Sequence, residues 1–308
     1  MTRVAAIDCG TNSVRLLVAD LAGNGLTDVV RRMEIVRLGQ GVDRTGRLAA
    51  DALTRTGKAL ADYAAQIREL GAERIRMVAT SATRDASNAA EFRDMVTGTL
   101  GVAPEVITGE QEAHLSFTGA VRGLPADATP PYLVVDIGGG STEFVLGIGD
   151  AEAAVSVDVG CVRMTERHLQ HDPPTPEQVA AAETDITVAI DRALRTVPGQ
   201  RAGTLVGLAG SVTTVAGIAL NLPGYDPGAI HHARISYPAV ARVTADLIAS
   251  TREQRLAIPV MHPVRADVIA AGALMLRIVM ERVGADSVIA SEHDILDGIV
   301  WSLAFDPR

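Results

Sequence analysis

The chain has 308 residues, 47% of them apolar and 21% charged, enough for two cores of ordinary domain size and no case for bulk disorder. A net charge of −9 with only 3% aromatic residues excludes a broad nucleic-acid surface, so DNA is not expected as a partner. The longest uncharged apolar run, Val268 to Leu276, is nine residues, too short to cross a bilayer, and no export signal opens the chain.

In chain order, Val4–Ile7 reads as a buried strand, Val14–Val18 as a strand returning after a turn, and Glu34–Leu38 as a third. Leu53, Leu60, Ala64 and Ile67 recur at helical spacing, predicting a helix from about Ala49 to Leu70 that stops at Gly71. A strand at Ile75–Ala79, a helix near Asn88–Thr97, a strand at Glu105–Ile107 and a helix at Glu110–Val121 follow. The Pro-rich stretch Gly123–Pro131 is the natural domain break. Beyond it the pattern restarts with strands at Tyr132–Val135, Phe144–Ile148 and Ala153–Val157, a helix from Pro176 to Val197, a strand at Leu205–Leu208, and several helices. Mixed elements of this kind predict a layered α/β fold.

Asp8-Cys-Gly-Thr-Asn-Ser13 and Asp136-Ile-Gly-Gly-Gly-Ser141 match at Asp, Gly and Ser with a constant shift of 128 residues, and each is flanked by apolar strands. A strand–turn–strand built twice predicts two phosphate-binding turns, in which small residues let backbone amides approach phosphate oxygens. An acid at each strand end suits Mg2+, which takes few carboxylates and keeps several waters. A third glycine-bearing turn, Leu208-Ala-Gly-Ser-Val-Thr-Thr214, opens a helix after a strand, where an anion finds free amides. Glu110 and Glu112 sit at a helix start, where a carboxylate either complements the dipole or activates a water. Arg84 ends the small-residue run Thr80–Thr83 and can aim its planar fork at phosphate.

Other chemistries lack their residues. Cys9 and Cys161 stand 152 positions apart and form neither a disulfide framework nor a zinc spacing, which suits a reducing cytoplasm. Cys9 beside Asp8 reads as a packing residue. Lys58 is the one lysine among 28 basic residues, and Ala52 stands where a Walker A loop needs glycine. Phosphate must therefore be held by arginine, backbone amides or metal. His168–His171 and His231–His232 lack the acids or thiols of a metal site and read as surface or capping residues.

Taken with Thr108-Gly-Glu-Gln-Glu-Ala113, Asp136–Glu143, Gly160-Cys-Val-Arg-Met-Thr-Glu166 and Arg265–Gly272, these motifs occur in an order that resembles the exopolyphosphatase/guanosine pentaphosphate phosphatase family, in a short two-domain form. The resemblance covers essentially the whole chain. It implies the actin–sugar kinase–Hsp70 superfold, with two ribonuclease-H-like domains (1–124 and 125–308) around an active-site cleft, the last helix at about 293–308 packing back onto the first. It also implies Glu112 as the water-activating base and Asp8, Asp136 and Glu143 as Mg2+-associated acids. Thr11, Asn12, Ser13, Arg84, Gly138, Gly139, Gly140 and Ser141 match phosphate-lining positions, and Gly210 and Ser211 of the third turn join them.

The expected activity is hydrolysis of the terminal phosphate of inorganic polyphosphate by Mg2+-assisted in-line attack of water, in a cytoplasmic homodimer with no membrane partner. The alternatives are a guanosine pentaphosphate 5'-phosphohydrolase and, in another class, a non-catalytic guanosine tetraphosphate sensor of the stringent response. A sugar-kinase-like transfer to a small acceptor is disfavoured by the phosphatase motifs. Many relatives carry a further C-terminal helical region, and the expectation from its lack here is distributive action on long chains.

Overall fold

The computed structural model describes residues 2–22 and 25–305 and divides into two compact units, one holding residues up to Gly119 and from Ile295 onward, the other Ala120–Asp294. The first opens with β1 (Thr2–Cys9), β2 (Ser13–Ala22) and β3 (Gly25–Ile35), then α1 (Val42–Thr45), α2 (Ala50–Leu70), β4 (Arg74–Ala79), α3 (Ser81–Arg84), α4 (Ala89–Leu100), β5 (Glu105–Val106) and α5 (Gly109–Val121). The second comprises β6 (Tyr132–Ile137), β7 (Thr142–Gly147), β8 (Ala151–Val157), α6 (Cys161–His168), α7 (Pro176–Thr196), β9 (Thr204–Leu208), α8 (Ala209–Ala219), α9 (Pro227–Ile230), β10 (Arg234–Ser236), α10 (Tyr237–Ala249), α11 (Arg252–Leu256), α12 (Ile269–Val283) and β11 (Ser287–Ala290). The chain then returns to the first unit as α13 (Ile295–Phe305).

The two sheets share one plan. In the first the order is β3-β2-β1-β4-β5, and in the second β10-β11-β9-β6-β7-β8. Each begins as an antiparallel meander whose first strand then pairs in parallel with the next, β1 with β4 and β6 with β9. The second adds β10 as an antiparallel edge. Repetition thus extends from the turn motif to the whole sheet.

Strand residues alternate between faces, and in the first unit both faces are covered. Ala5, Ile7, Val14, Leu16 and Val18 pack with Leu60, Tyr63 and Ile67 of α2 and with Phe92 and Val96 of α4. Val4, Ala6, Leu17 and Ala19 pack against Ile295, Leu296, Ile299 and Val300 of α13. Burial on both sides explains why β1 reads as a continuous apolar run. The second core centres on α12, which is buried from Ile269 to Met280 except at Arg277, as its uncharged, apolar first two turns require.

Three expectations change. The third strand is β3, Gly25–Ile35, and Val36–Leu38 have left it to brace a turn. Alternation in β3 is blurred by its half-exposed face, so the buried tail looked more strand-like than the strand. The short α6, β10 and β11 carry too few residues for a periodic signal. The break between units falls inside α5 rather than at Gly123–Pro131. The front of α5 is held so tightly to α13 that a Cβ on Gly298 would lie 2.0 Å from the Leu115 carbonyl oxygen.

Candidate active site

The two hairpin turns are built alike. Gly10 N–H donates to Ser13 O at 2.9 Å, and Gly138 N–H to Ser141 O at 3.1 Å. Each loop is braced from behind by a glycine packed on the equivalent residue. A Cβ on Gly39 would lie 2.3 Å from Thr11 Cγ2, and one on Gly160 would lie 2.4 Å from the carbonyl of Gly139. In the first loop the Thr11 carbonyl accepts from Gly39 N–H, and the Asn12 carbonyl accepts from Val36 and Arg37. In the second, the first amides of α6 hold the carbonyls of Gly138 and Gly139. A trans peptide sets C=O and the following N–H on opposite sides, so pinning the carbonyls turns the N–H groups of Asn12, Ser13, Gly139, Gly140 and Ser141 away from the brace. Rows of turned-out amides form an anion-binding nest.

The acids at the strand ends differ between units. Asp8 stands in register with Arg15, which sets Nε and Nη2 on its Oδ2 at 3.0 and 2.6 Å. Asp136 stands in register with Glu143, so two buried carboxylates share one face, and Glu143 Oε1 also accepts from Ser156 Oγ at 2.7 Å. Like charges directly opposite repel unless a cation joins them. Two carboxylates beside a phosphate are the donor set Mg2+ takes, so Asp136 and Glu143 fit that ion. Asp8 already has a cation, and no group of three acids, histidines or cysteines gathers at metal-holding distance among the described residues.

Glu110 and Glu112 separate clearly. Glu110 is exposed at the start of α5, whereas Glu112 is 9% exposed and its Oε2 lies 3.3 Å from Arg84 Nη1. Arg84 Nη1 also donates to the Ile107 carbonyl at 2.9 Å, which leaves the Nη2 edge of the fork for an anion. Thr11 and Ser81 join the hairpin to the Thr80–Arg84 segment through hydroxyls 2.8 Å apart.

The third turn is strained and crowded. Ala209 adopts φ +67 where α8 begins, a conformation non-glycine residues hold at a cost of about 1–3 kcal/mol. Arg265 lies over Gly210, so close that a Cβ there would be 1.9 Å from Nη2, and its Nη1 donates to Thr214 Oγ1 at 2.9 Å. Ser211 is buried between Cys161 and Gly272, where burial pushes the Cys161 thiol pKa up. Burial likewise raises Cys9, as a packing thiol requires. His168 meets Asp185 at 3.0 Å, His171 meets Gln178 at 2.8 Å, and His231 stacks on His232 at 3.6 Å.

Residues 17–305 match the model of the Ppx/GppA phosphatase family. The chain belongs to the Ppx/GppA phosphatase family. It is 52% identical to exopolyphosphatase 2 of Mycobacterium tuberculosis over 99% of both chains. A solved Ppx/GppA protein of Aquifex aeolicus superimposes with a TM-score of 0.82 at 32% identity, covering 98% of this chain and 97% of that one. An exopolyphosphatase from Cytophaga hutchinsonii superimposes at 0.88 with 27% identity, covering 98% and 97%. The α/β architecture expected from the motifs is the fold of this chain, shared with the solved Ppx/GppA protein.

Sequence reading passed over Arg15, Gly39, Arg163 and Arg265 as working residues. Arg163 and Arg265 lie within motifs that were recognised as a whole, so the signal was present but not assigned to a side chain. Arg15 faces Asp8 only once the strand register is known.

Proposed function

We propose that this Ppx/GppA protein is an exopolyphosphatase that releases the terminal phosphate of inorganic polyphosphate by attack of water. The twin hairpins carry the reading, because repeated rows of outward amides suit a substrate that is phosphate throughout. The naming of its M. tuberculosis relative as an exopolyphosphatase supports polyphosphate over a nucleotide.

Glu112 accepts the proton of the attacking water, held in place by Arg84, whose remaining fork edge takes a phosphate oxygen. The amides of Gly139, Gly140 and Ser141 bind phosphoryl oxygens as charge builds on them. Mg2+, held by Asp136 and Glu143, would supply a further counter-charge to the phosphates when bound. Phosphoryl transfer to water depends on positioning and charge neutralisation, so no side-chain nucleophile is required.

The same proposal includes a homodimer in the cytoplasm. Both cysteines are free and buried, as a reducing compartment allows, and no described helix is long and apolar enough to cross a membrane. The test is phosphate release by purified protein from polyphosphates of several lengths and from guanosine pentaphosphate, with the oligomeric state measured by light scattering. Faster release from guanosine pentaphosphate would reassign the substrate, and tight guanosine tetraphosphate binding without any release would make the protein a sensor.

A further inference from the structure

The two hairpins hold their corresponding peptides by different means. In the first, the Asn12 carbonyl takes two backbone donors, Val36 N–H at 3.1 Å and Arg37 N–H at 2.9 Å. The equivalent carbonyl in the second is that of Gly140, 128 residues on, and it accepts from the side chain of Arg163, Nε to O at 2.8 Å. The neighbouring carbonyls are held by backbone: Gly138 by Cys161 N–H at 2.9 Å, and Gly139 by Val162 and Arg163 N–H at 2.9 and 3.1 Å. One guanidinium therefore stands where the first hairpin uses main chain.

This peptide is the one most in need of a restraint. Gly140 has no Cβ, so the peptide joining it to Ser141 rotates with little steric resistance. In the observed orientation the Ser141 N–H points away from Arg163, on the side of the other turned-out amides. Rotated by half a turn, the same peptide would present a carbonyl oxygen to the anion instead of a donor. The Arg163 contact opposes that rotation and puts a positive charge behind the peptide, aligned with its dipole.

We propose that Arg163 is a positioning residue for hydrolysis: it locks the Gly140–Ser141 peptide with its N–H turned toward the phosphoryl group being cleaved. The inference rests on reading this loop as a phosphate site. Removing a preorganised donor from a developing oxyanion costs about 10²–10³ in rate, and loosening one without deleting it costs less, about 10–100-fold. Arg163→Met keeps the apolar stem and removes the donor. Arg163→Lys keeps the charge but loses the fixed direction of Nε, and recovers only part of the loss.

The experiment follows backbone amide shifts by NMR as pyrophosphate is added to the wild-type chain and to both variants, with kcat/KM for polyphosphate and Tm alongside. The Ser141 amide should shift strongly in the wild type and weakly in Arg163→Met, while Asn12 and Ser13 respond alike in both. The variant's kcat/KM should fall about 10–100-fold at a nearly unchanged Tm. If Arg163→Met does not fold, Arg163→Lys carries the comparison, with a reduced Ser141 response expected. An unaltered Ser141 response with unaltered kcat/KM overturns the role of Arg163 alone. Loop amides that ignore pyrophosphate in the wild type overturn the phosphate reading of the loop and this inference with it.

Discussion

Asp136 faces Glu143 across β6 and β7 at the register position where Asp8 faces Arg15 across β1 and β2. One hairpin neutralises its acid internally, and the other sets two acids together. We expect the paired acids of the second hairpin to take Mg2+ more readily than Asp8, whose Oδ2 already meets Arg15. Glu143→Gln should keep the acceptor for Ser156 and remove one charge. It should lower the rate and raise the Mg2+ concentration needed for half-maximal activity, as titration of activity against Mg2+ would read. An unchanged Mg2+ requirement would remove Glu143 from the proposed ion site.

Glu112, the proposed base, is buried and lies beside Arg84, whereas Glu110 is exposed. Glu112→Gln should cut kcat by about 10²–10⁴-fold, the range for loss of a general base. Substrate binding should survive, because the amide keeps the shape. Glu110→Gln should stay close to wild type. Reversal of the two effects would move the base by one half-turn of helix.

Arg84 works through direction as well as charge. Its Nη1 is committed to the Ile107 carbonyl and Glu112, and a lysine ammonium cannot hold both and also offer a second edge. Arg84→Lys should raise KM for polyphosphate several-fold and also lower kcat, since Glu112 loses its restraint. A change confined to KM would limit Arg84 to substrate binding.

The strand–turn–strand echo was readable because glycine, acid and hydroxyl recur at a constant offset between apolar runs. Helix α2 was readable because its apolar stripe keeps helical spacing and Gly71 ends it with φ +68. What escaped were facts of register and reach. That Asp8 meets an arginine and Asp136 a glutamate depends on which residues fall opposite each other, and β3 was misplaced, so the brace at Val36–Gly39 was hidden. Arg163 stood inside a recognised motif, yet its contact with Gly140 spans 23 residues and the gap between β8 and α6. The return of α13 to the first sheet is a long-range packing choice that its apolar composition permits but does not dictate.

His232 supplies a pH-dependent prediction. Its ring is stacked under His231, its Nε2 is buried without a hydrogen bond among the described residues, and His293 lies close by. Burial first, and then the charge of His293, hold its pKa below the ordinary histidine value. The unfolded chain therefore takes up this proton at a higher pH than the folded one, so stability is full above the ordinary histidine range and falls as pH drops through it. Glu292, whose N–H donates to His231 Nδ1, Tyr225, hydrogen-bonded to the Glu292 carboxylate, and Ser291, whose hydroxyl bonds the His293 backbone, also border the cluster. His232→Asn tolerates the φ of +67 at this position and should flatten the fall in Tm between pH 7 and pH 5.5. An equally steep fall in the variant would place the acid sensitivity elsewhere.

The last prediction concerns Gly160, the residue on which the second loop rests. It is extended, with φ −156, so an alanine there suffers no backbone strain. The obstacle is space, because its Cβ would sit 2.4 Å from both the carbonyl carbon and oxygen of Gly139 and 2.6 Å from Gly140 N. Those atoms are backbone and cannot swing aside as a side-chain tip can, so α6 or the loop must move. Either movement breaks the bonds from Cys161 and Val162 to the loop carbonyls that hold its amides outward. Gly46 is the matched control: its φ of +65 strains an alanine, but no atom lies within 4 Å of the new Cβ. Gly46→Ala should cost about 1 kcal/mol of stability, the scale for a non-glycine residue at positive φ, and leave kcat/KM near wild type. Gly160→Ala should lower kcat/KM by at least about 10²-fold, because the loss of an aligned oxyanion donor acts directly on the transition state. Thermal unfolding and phosphate release measured on both variants decide the matter. Equal activity in the two would mean that the loop does not depend on its contact with α6.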